Sequence, residues 1–340
     1  MIGALARAGL FAGVLLGCAS PGAQPPVVVS DGRYVMGTVL EITLVVRDPR
    51  AGRARLEEAF RSAAALDRLL SRYAPESEVT ALNRAAGGPA LPLSPPTARA
   101  LRAAQRYAAW TGGAFDVTVG PLVELWHRAA QRDRLPTTNE FAAARARVGA
   151  SGLAVAPDGS AQLTRAGMAL DLGGLGKGFA LDELRAGLEG EVEGALLDFG
   201  RSSLLALGHA ADGNPWRLLV GGGPGEPRGT LELRERALSI SSSLGQYTVI
   251  DNQRYGHIID PRSGLALHEG RFAAVLAPSA AEAEAWSTAL LVLPPEEARR
   301  RLGHRTAVGA AVHGEAGQLL RAGPLAGLTL LELAPPGGSP

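Results

Sequence analysis

The sequence predicts an α+β fold in one large domain, with mixed or antiparallel sheets and packed helices. Amphipathic helical stripes and β-rich segments recur along the chain without the regular strand–helix–strand rhythm of a doubly wound parallel sheet. With 46% hydrophobic against 20% charged residues, a chain of 340 residues also has enough apolar material for a sizeable core.

Residues 33–46, RYVMGTVLEITLVV, set Val39, Glu41 and Thr43 against Leu40, Ile42 and Leu44, the period-two pattern of a half-buried strand that opens the domain. RARLEEAFRSAAALDRLLSRY then spaces Leu56, Phe60, Ala63, Leu66 and Leu70 by three or four, an apolar stripe on a helix whose end delivers Tyr73 to a loop. A second helix starts at Pro95, with Ser94 as N-cap and Gly112-Gly113 as its stop. GAFDVTVGPL after it is small and strand-like. WRLLVGG, GTLELRERALSIS and RFAAVLAP are further strand candidates, and helical stretches fall around 178–189 and 280–303. No fixed-period repeat is present.

The formal net charge is +1 and no basic run interleaves with aromatics, which argues against nucleic acid as a partner. Residues 1–17, MIGALARAGLFAGVLLG, carry Arg7 and then an apolar stretch of about ten residues, the length of a signal-peptide core rather than a bilayer span. They run into Leu15-Leu16-Gly17-Cys18, which resembles the bacterial lipobox; Cys18 is the sole cysteine, so no disulfide forms within the chain. Lipidation of Cys18 is the expectation. Residues 18–32, rich in Pro, Gly and small side chains, read as a tether for a domain over 33–335. The membrane is thus a partner through the lipid anchor alone, and the expected location is the bacterial cell envelope, facing the periplasm.

LDLGGLGKGFALDEL, residues 170–184, packs four glycines and Lys177, the only lysine among 34 Lys and Arg, into a turn ahead of a helix. The pattern fails both the P-loop and the dinucleotide fingerprint. What it retains is a close backbone approach, helix N-terminal amides and one ammonium, a combination that suits an anion. In APSAAEAEAWSTALLVLPP, Ser279 and Glu282 have capping-box spacing, which turns Glu282 back to its own helix end and leaves Glu284 free. Glu284, Ser287 and Thr288 then share one face and offer hard oxygen ligands. In DNQRYGHIIDPRSGLAL, His257 and the pair Ile258-Ile259 precede a tight turn at Asp260-Pro261-Arg262-Ser263-Gly264.

These stretches, together with Met36-Gly37-Thr38, PESEVTALN and AEAWSTAL, resemble the ApbE family of FAD:protein FMN transferases in both order and spacing. The resemblance implies an FAD cleft contacted by Met36, Tyr73, Ala114, Phe115, Asp116, Asp171, Lys177 and Ile258. It implies Mg²⁺ held by the Gly174 carbonyl, Glu284 and Thr288, with Ser287 beside them. The implied reaction moves FMN from FAD onto a threonine or serine hydroxyl of an acceptor redox protein and releases AMP. Lys177 would neutralise phosphate charge, and His257, or else Asp171, would accept the hydroxyl proton. FAD hydrolysis to FMN and AMP, or FAD binding without chemistry, are the alternative readings.

The chain departs from the family pattern in three places. Glu284 stands where aspartate is usual. Asp198-Phe199-Gly200-Arg201-Ser202-Ser203 replaces an Asn-x-Gly-Gly-Asp stretch, gaining a cation, and no site role is carried onto it. SISSSLGQY keeps the hydroxyl-rich character of the usual Thr-Ser-Gly turn with Ser243 and Leu244 in place of the common pair.

Overall fold

The structure is a computed structural model that describes residues 25–220, 228–314, 317–324 and 328–331. The signal segment and Cys18 lie outside the described residues. The chain opens with a hairpin: β1 (Val27–Val35) pairs antiparallel with β2 (Thr38–Val46) across a turn in which Met36 and Gly37 have φ of 49° and 79°. Two residues at positive φ give the turn whose twist matches its strands. The strand expected over 33–46 is therefore two, and the expected tether stops short, because Val27–Gly32 pair with β2 and Val29 is buried.

α1 (Pro49–Leu70) buries the predicted stripe and is capped by Asp48, which accepts the Arg50 N–H at 2.8 Å. α2 (Glu78–Arg84) precedes α3 (Pro95–Thr111), which ends at Gly112 with φ 63°. Ser94 makes no cap bond there; its hydroxyl donates to Glu78 at 2.8 Å. GAFDVTVGPL is not a strand. Asp116 Oδ1 accepts from the Thr118 N–H at 2.8 Å and from its hydroxyl at 2.7 Å, folding a turn into α4 (Gly120–Gln131). Local aspartate turn chemistry outweighs the β-propensity of Val117 and Val119. α5 (Thr138–Arg145) starts in a capping box of Thr137 and Glu140, and the short pair β3 (Leu153–Val155) and β4 (Ala161–Leu163) follows.

α6 (Gly176–Leu188) leads into β5 (Gly194–Phe199), β6 (Ser203–Gly208), β7 (Trp216–Val220), β8 (Arg228–Leu233) and β9 (Arg236–Ser242). The hairpin β10 (Tyr247–Ile250) and β11 (Gln253–Gly256) and then β12 (Arg271–Ala277) come next. The helix expected over 280–303 is two, α7 (Ala280–Val292) and α8 (Pro295–Leu302), because Pro294 lacks an N–H and drives Leu293 to extended backbone, ψ 135°. β13 (Gly309–Gly314), β14 (Gly317–Ala322) and β15 (Leu328–Leu331) complete the described chain.

Among the described residues the main sheet runs β1-β2-β5-β6-β9-β12-β13-β14, and every neighbour is antiparallel. Both its faces are covered. Ala273, Val275 and Ala277 of β12 join a large core with α1, α6 and α7, while Ala274 and Leu276 join a second cluster with residues of β7 and β8. Strands buried on both faces read as apolar runs, which is how RFAAVLAP appears in the sequence. A third, smaller cluster, which includes Leu122, Trp126, Ala144, Ile250 and Ile259, joins α4 and α5 to the β10–β11 arm. The arrangement is the α+β class that the sequence predicts.

Candidate active site

A cleft of about 1080 Å³ opens where the three clusters meet, with Phe115 contributed by the first, Leu238 by the second and Ile259 by the third. Its central geometry depends on a glycine. α7 crosses the start of α6 so closely that a Cβ on Gly178 would lie 2.5 Å from the Ala280 carbonyl oxygen. Nearly every residue of α7 is buried, and Glu284 enters the core with 3% of its surface exposed.

A carboxylate in that position requires partners. Glu284 Oε1 lies 2.6 Å from Lys177 Nζ, and Oε2 accepts the Gly178 N–H at 2.6 Å. The Ser203 hydroxyl donates to Oε1 at 3.4 Å. The start of α6 does hold an anion, as the glycine-rich turn implies, and that anion is the protein's own side chain. Glu284 is therefore not free. Nor does Glu282 turn back to its helix end: the Ser279 hydroxyl accepts the Glu282 N–H at 3.3 Å, but the Glu282 carboxylate pairs with Arg305 at 2.6 Å. Asp182 takes over the cap, accepting from the Ala280 and Ala281 N–H groups at 2.8 and 3.0 Å.

Thr288, one turn beyond Glu284, also faces the cleft, and a Cβ on Gly174 would lie 3.4 Å from its Oγ1. Glu284, Thr288 and Gly174 thus come together as expected. Among the described residues no group of three or more His, Cys, Asp or Glu could hold a metal. One carboxylate, one hydroxyl and one carbonyl nevertheless fit magnesium, which binds few protein oxygens when substrate phosphates complete its shell. Three donors engage Glu284, which leaves it one lone-pair site, on Oε2. Ser287 does not join this set. It is fully buried, donating to the Glu284 carbonyl at 3.0 Å and accepting from Ser239 and Ser241 at 2.9 and 2.8 Å.

His257, just after β11, lines the same cleft. Its Nδ1 lies 3.0 Å from the Gln246 carbonyl oxygen, which can only accept, so Nδ1 carries the proton and Nε2 keeps a lone pair. The ring has an exposed edge, yet the surrounding walls displace enough water to push the imidazole below its usual range, and the Lys177 charge adds to this. Tyr73, 82% exposed, stands at the rim with the Arg72 guanidinium over its ring, while Ala114 and Phe115 are buried and Ile258 is half-buried in the walls.

Of three further predicted residues, Asp171 and Asp116 line the cleft and Met36 does not. Asp171 lines the cleft but is bound to Arg72 at 2.5 Å and to the Gly173 N–H at 2.8 Å, which disfavours it as a base. Asp116 spends its oxygens on Thr118 and on the Ala150 N–H at 2.7 Å, bracing the loop. Burial pushes its carboxyl up against the effect of these bonds. Met36, at the hairpin tip, packs against the large core and is not among the lining residues.

Sequence reasoning missed Arg72, Gln246 and the lining segment Gly200–Ser203. Arg72 has no motif of its own, and Gln246 acts through a backbone carbonyl that any residue carries. The segment around Arg201 is visible in the sequence as a departure from the family pattern, and the structure places it in the lining of the cleft.

Residues 36–312 match the ApbE family. A FAD:protein FMN transferase of Klebsiella pneumoniae is 31% identical over 281 residues, covering 80% of each chain. One of Salmonella typhimurium is 31% identical over 303 residues, covering 84% of this chain and 85% of the relative. The apo structure of the Pseudomonas stutzeri flavinyl transferase ApbE is 27% identical and superposes with a TM-score of 0.75, covering 90% of this chain and 95% of that one. The flavin transferase ApbE of Vibrio cholerae shares the fold at 24% identity and a TM-score of 0.76, over 88% and 97% of the two chains.

Proposed function

The chain belongs to the ApbE family, and on that premise we propose that it is a FAD:protein FMN transferase acting on a threonine or serine of an acceptor redox protein. The observation that carries this reading is the convergence on one cleft of Tyr73, Phe115, Lys177, His257, Glu284 and Thr288, drawn from segments distant in sequence. The acceptor oxygen bonds to the FMN phosphorus, the bridging P–O bond of the pyrophosphate breaks, and AMP leaves with its electron pair.

Such transfer depends on charge neutralisation and alignment. Glu284, Thr288 and the Gly174 carbonyl would hold magnesium, whose contribution is to neutralise phosphate oxygens. Lys177 orients Glu284 and brings its own ammonium to the cleft. Tyr73, Phe115 and Ile258 offer apolar surface to the flavin. His257 is the base: with Nδ1 held on Gln246, Nε2 accepts the acceptor's hydroxyl proton, and its lowered pKa keeps it neutral near pH 7. Lipidation at Cys18 would keep the domain at an envelope membrane facing the periplasm; in that case a Cys18→Ala variant leaves the membrane fraction.

The test is incubation of the protein with FAD, Mg²⁺ and a candidate acceptor, followed by a denaturing gel viewed for flavin fluorescence and an assay for AMP. Covalent flavin on the acceptor with equimolar AMP is the expected result. AMP and FMN without an acceptor would mean hydrolysis, and intact bound FAD would mean a binding protein.

A further inference from the structure

The cleft contains an electrostatic conflict. Among the described residues its lining carries four carboxylates, those of Asp116, Asp171, Asp198 and Glu284, and two cations, Lys177 and Arg201, with Arg72 pairing Asp171 from outside the lining. Lys177 is already committed to Glu284. A pyrophosphate brings further negative charge into the same space, so an uncommitted cation has a large effect there.

Arg201 has the position and the freedom for that task. It lies in the three-residue connection between β5 and β6, whose flanking residues Phe199 and Ser203 pair. Two residues on, Ser203 donates to the same Glu284 oxygen that holds Lys177. The connection therefore abuts the Lys177–Glu284 pair. The guanidinium makes no hydrogen bond or salt bridge to any described residue. Asp198, which feels its charge, instead accepts the Arg201 backbone N–H at 2.8 Å.

The backbone argues the same way. Gly200 and Arg201 both have positive φ, 68° and 56°. Glycine takes that conformation without strain, while a long side chain does not. The loop would be more comfortable with glycine at 201, so the arginine is kept against local preference, as strained residues at functional sites often are.

We propose that Arg201 is a phosphate-binding residue of this cleft, supplying the cation that lets it accept the pyrophosphate of FAD. The inference rests on the FAD reading above. Its guanidinium presents paired donors to phosphate oxygens, a geometry an ammonium cannot copy.

The test is FAD titration of the full chain in magnesium buffer, followed by flavin fluorescence, at low and high salt. Arg201→Gly is expected to keep or raise Tm, because it relieves the positive φ, while weakening FAD binding about tenfold at low salt. The gap should narrow at high salt as screening weakens the wild-type contact, and Arg201→Lys should recover part of the loss. Unchanged affinity in Arg201→Gly, or a gap indifferent to salt, would overturn the proposal. If the wild-type chain bound no FAD at all, the parent reading would fail first, and the two failures are distinct.

Discussion

The two walls of the cleft are built on opposite principles. The wall made by α6 and α7 hides its charges: Glu284 is almost wholly buried, and Lys177 and the Gly178 amide are fitted to its two oxygens. The lining outside those two helices, on the segment after β11 and the β5–β6 connection, leaves His257 and Arg201 exposed, each held mainly through its backbone or one ring nitrogen. Buried charge ties function to stability, because no water replaces a lost partner. Exposed charge lets the two vary separately.

The largest expected effect is on the buried wall. Lys177→Met leaves Glu284 without its cation and should cost about 3 kcal/mol of stability, read as a lower midpoint in urea, together with weaker FAD binding. If Lys177→Met unfolded at the wild-type midpoint, the buried-wall account would be wrong. His257→Ala tests the other wall: the transfer rate should fall by about 10² or more while the unfolding midpoint stays put. A joint fall of rate and stability there would erase the distinction between the walls.

Gly178→Ala should cost about 2 kcal/mol, because its Cβ would press on backbone that cannot easily retreat. It should lower the midpoint while leaving the His257 arm untouched, which intact pH dependence of the residual transfer would report. The smallest effect is that pH dependence itself. His257 works as a base only when neutral, and its pKa is lowered from the ordinary imidazole value by burial, so the fall in rate on acidification should be centred below the ordinary imidazole range. A decline centred above that range would assign the titration to another group.

Much of the frame was legible in the sequence. The stripe of α1, the Pro95 start and Gly112 stop of α3, and the apolar run of β12 follow from patterns that act within a few residues. Tyr73, Lys177 and His257 were identifiable through motifs, and all three line the cleft. The Met36–Gly37 turn was missed because a methionine at positive φ gives no compositional signal, and α4 because two valines beside Asp116 imitate a strand.

The sequence by itself determined the fold class, the main helices and the family motifs, since local periodicity and turn chemistry are written in neighbouring residues. Only the tertiary structure decided which charges are spent and which remain. Lys177 and Glu284 stand 107 positions apart, and their pairing exists because Gly178 lets α6 meet α7 at backbone contact. The same packing leaves the Arg201 guanidinium without a hydrogen bond or ion pair among the described residues, in a cleft rich in carboxylates. Burial and charge compensation depend on distances between elements, and those distances are set by the packed core as a whole.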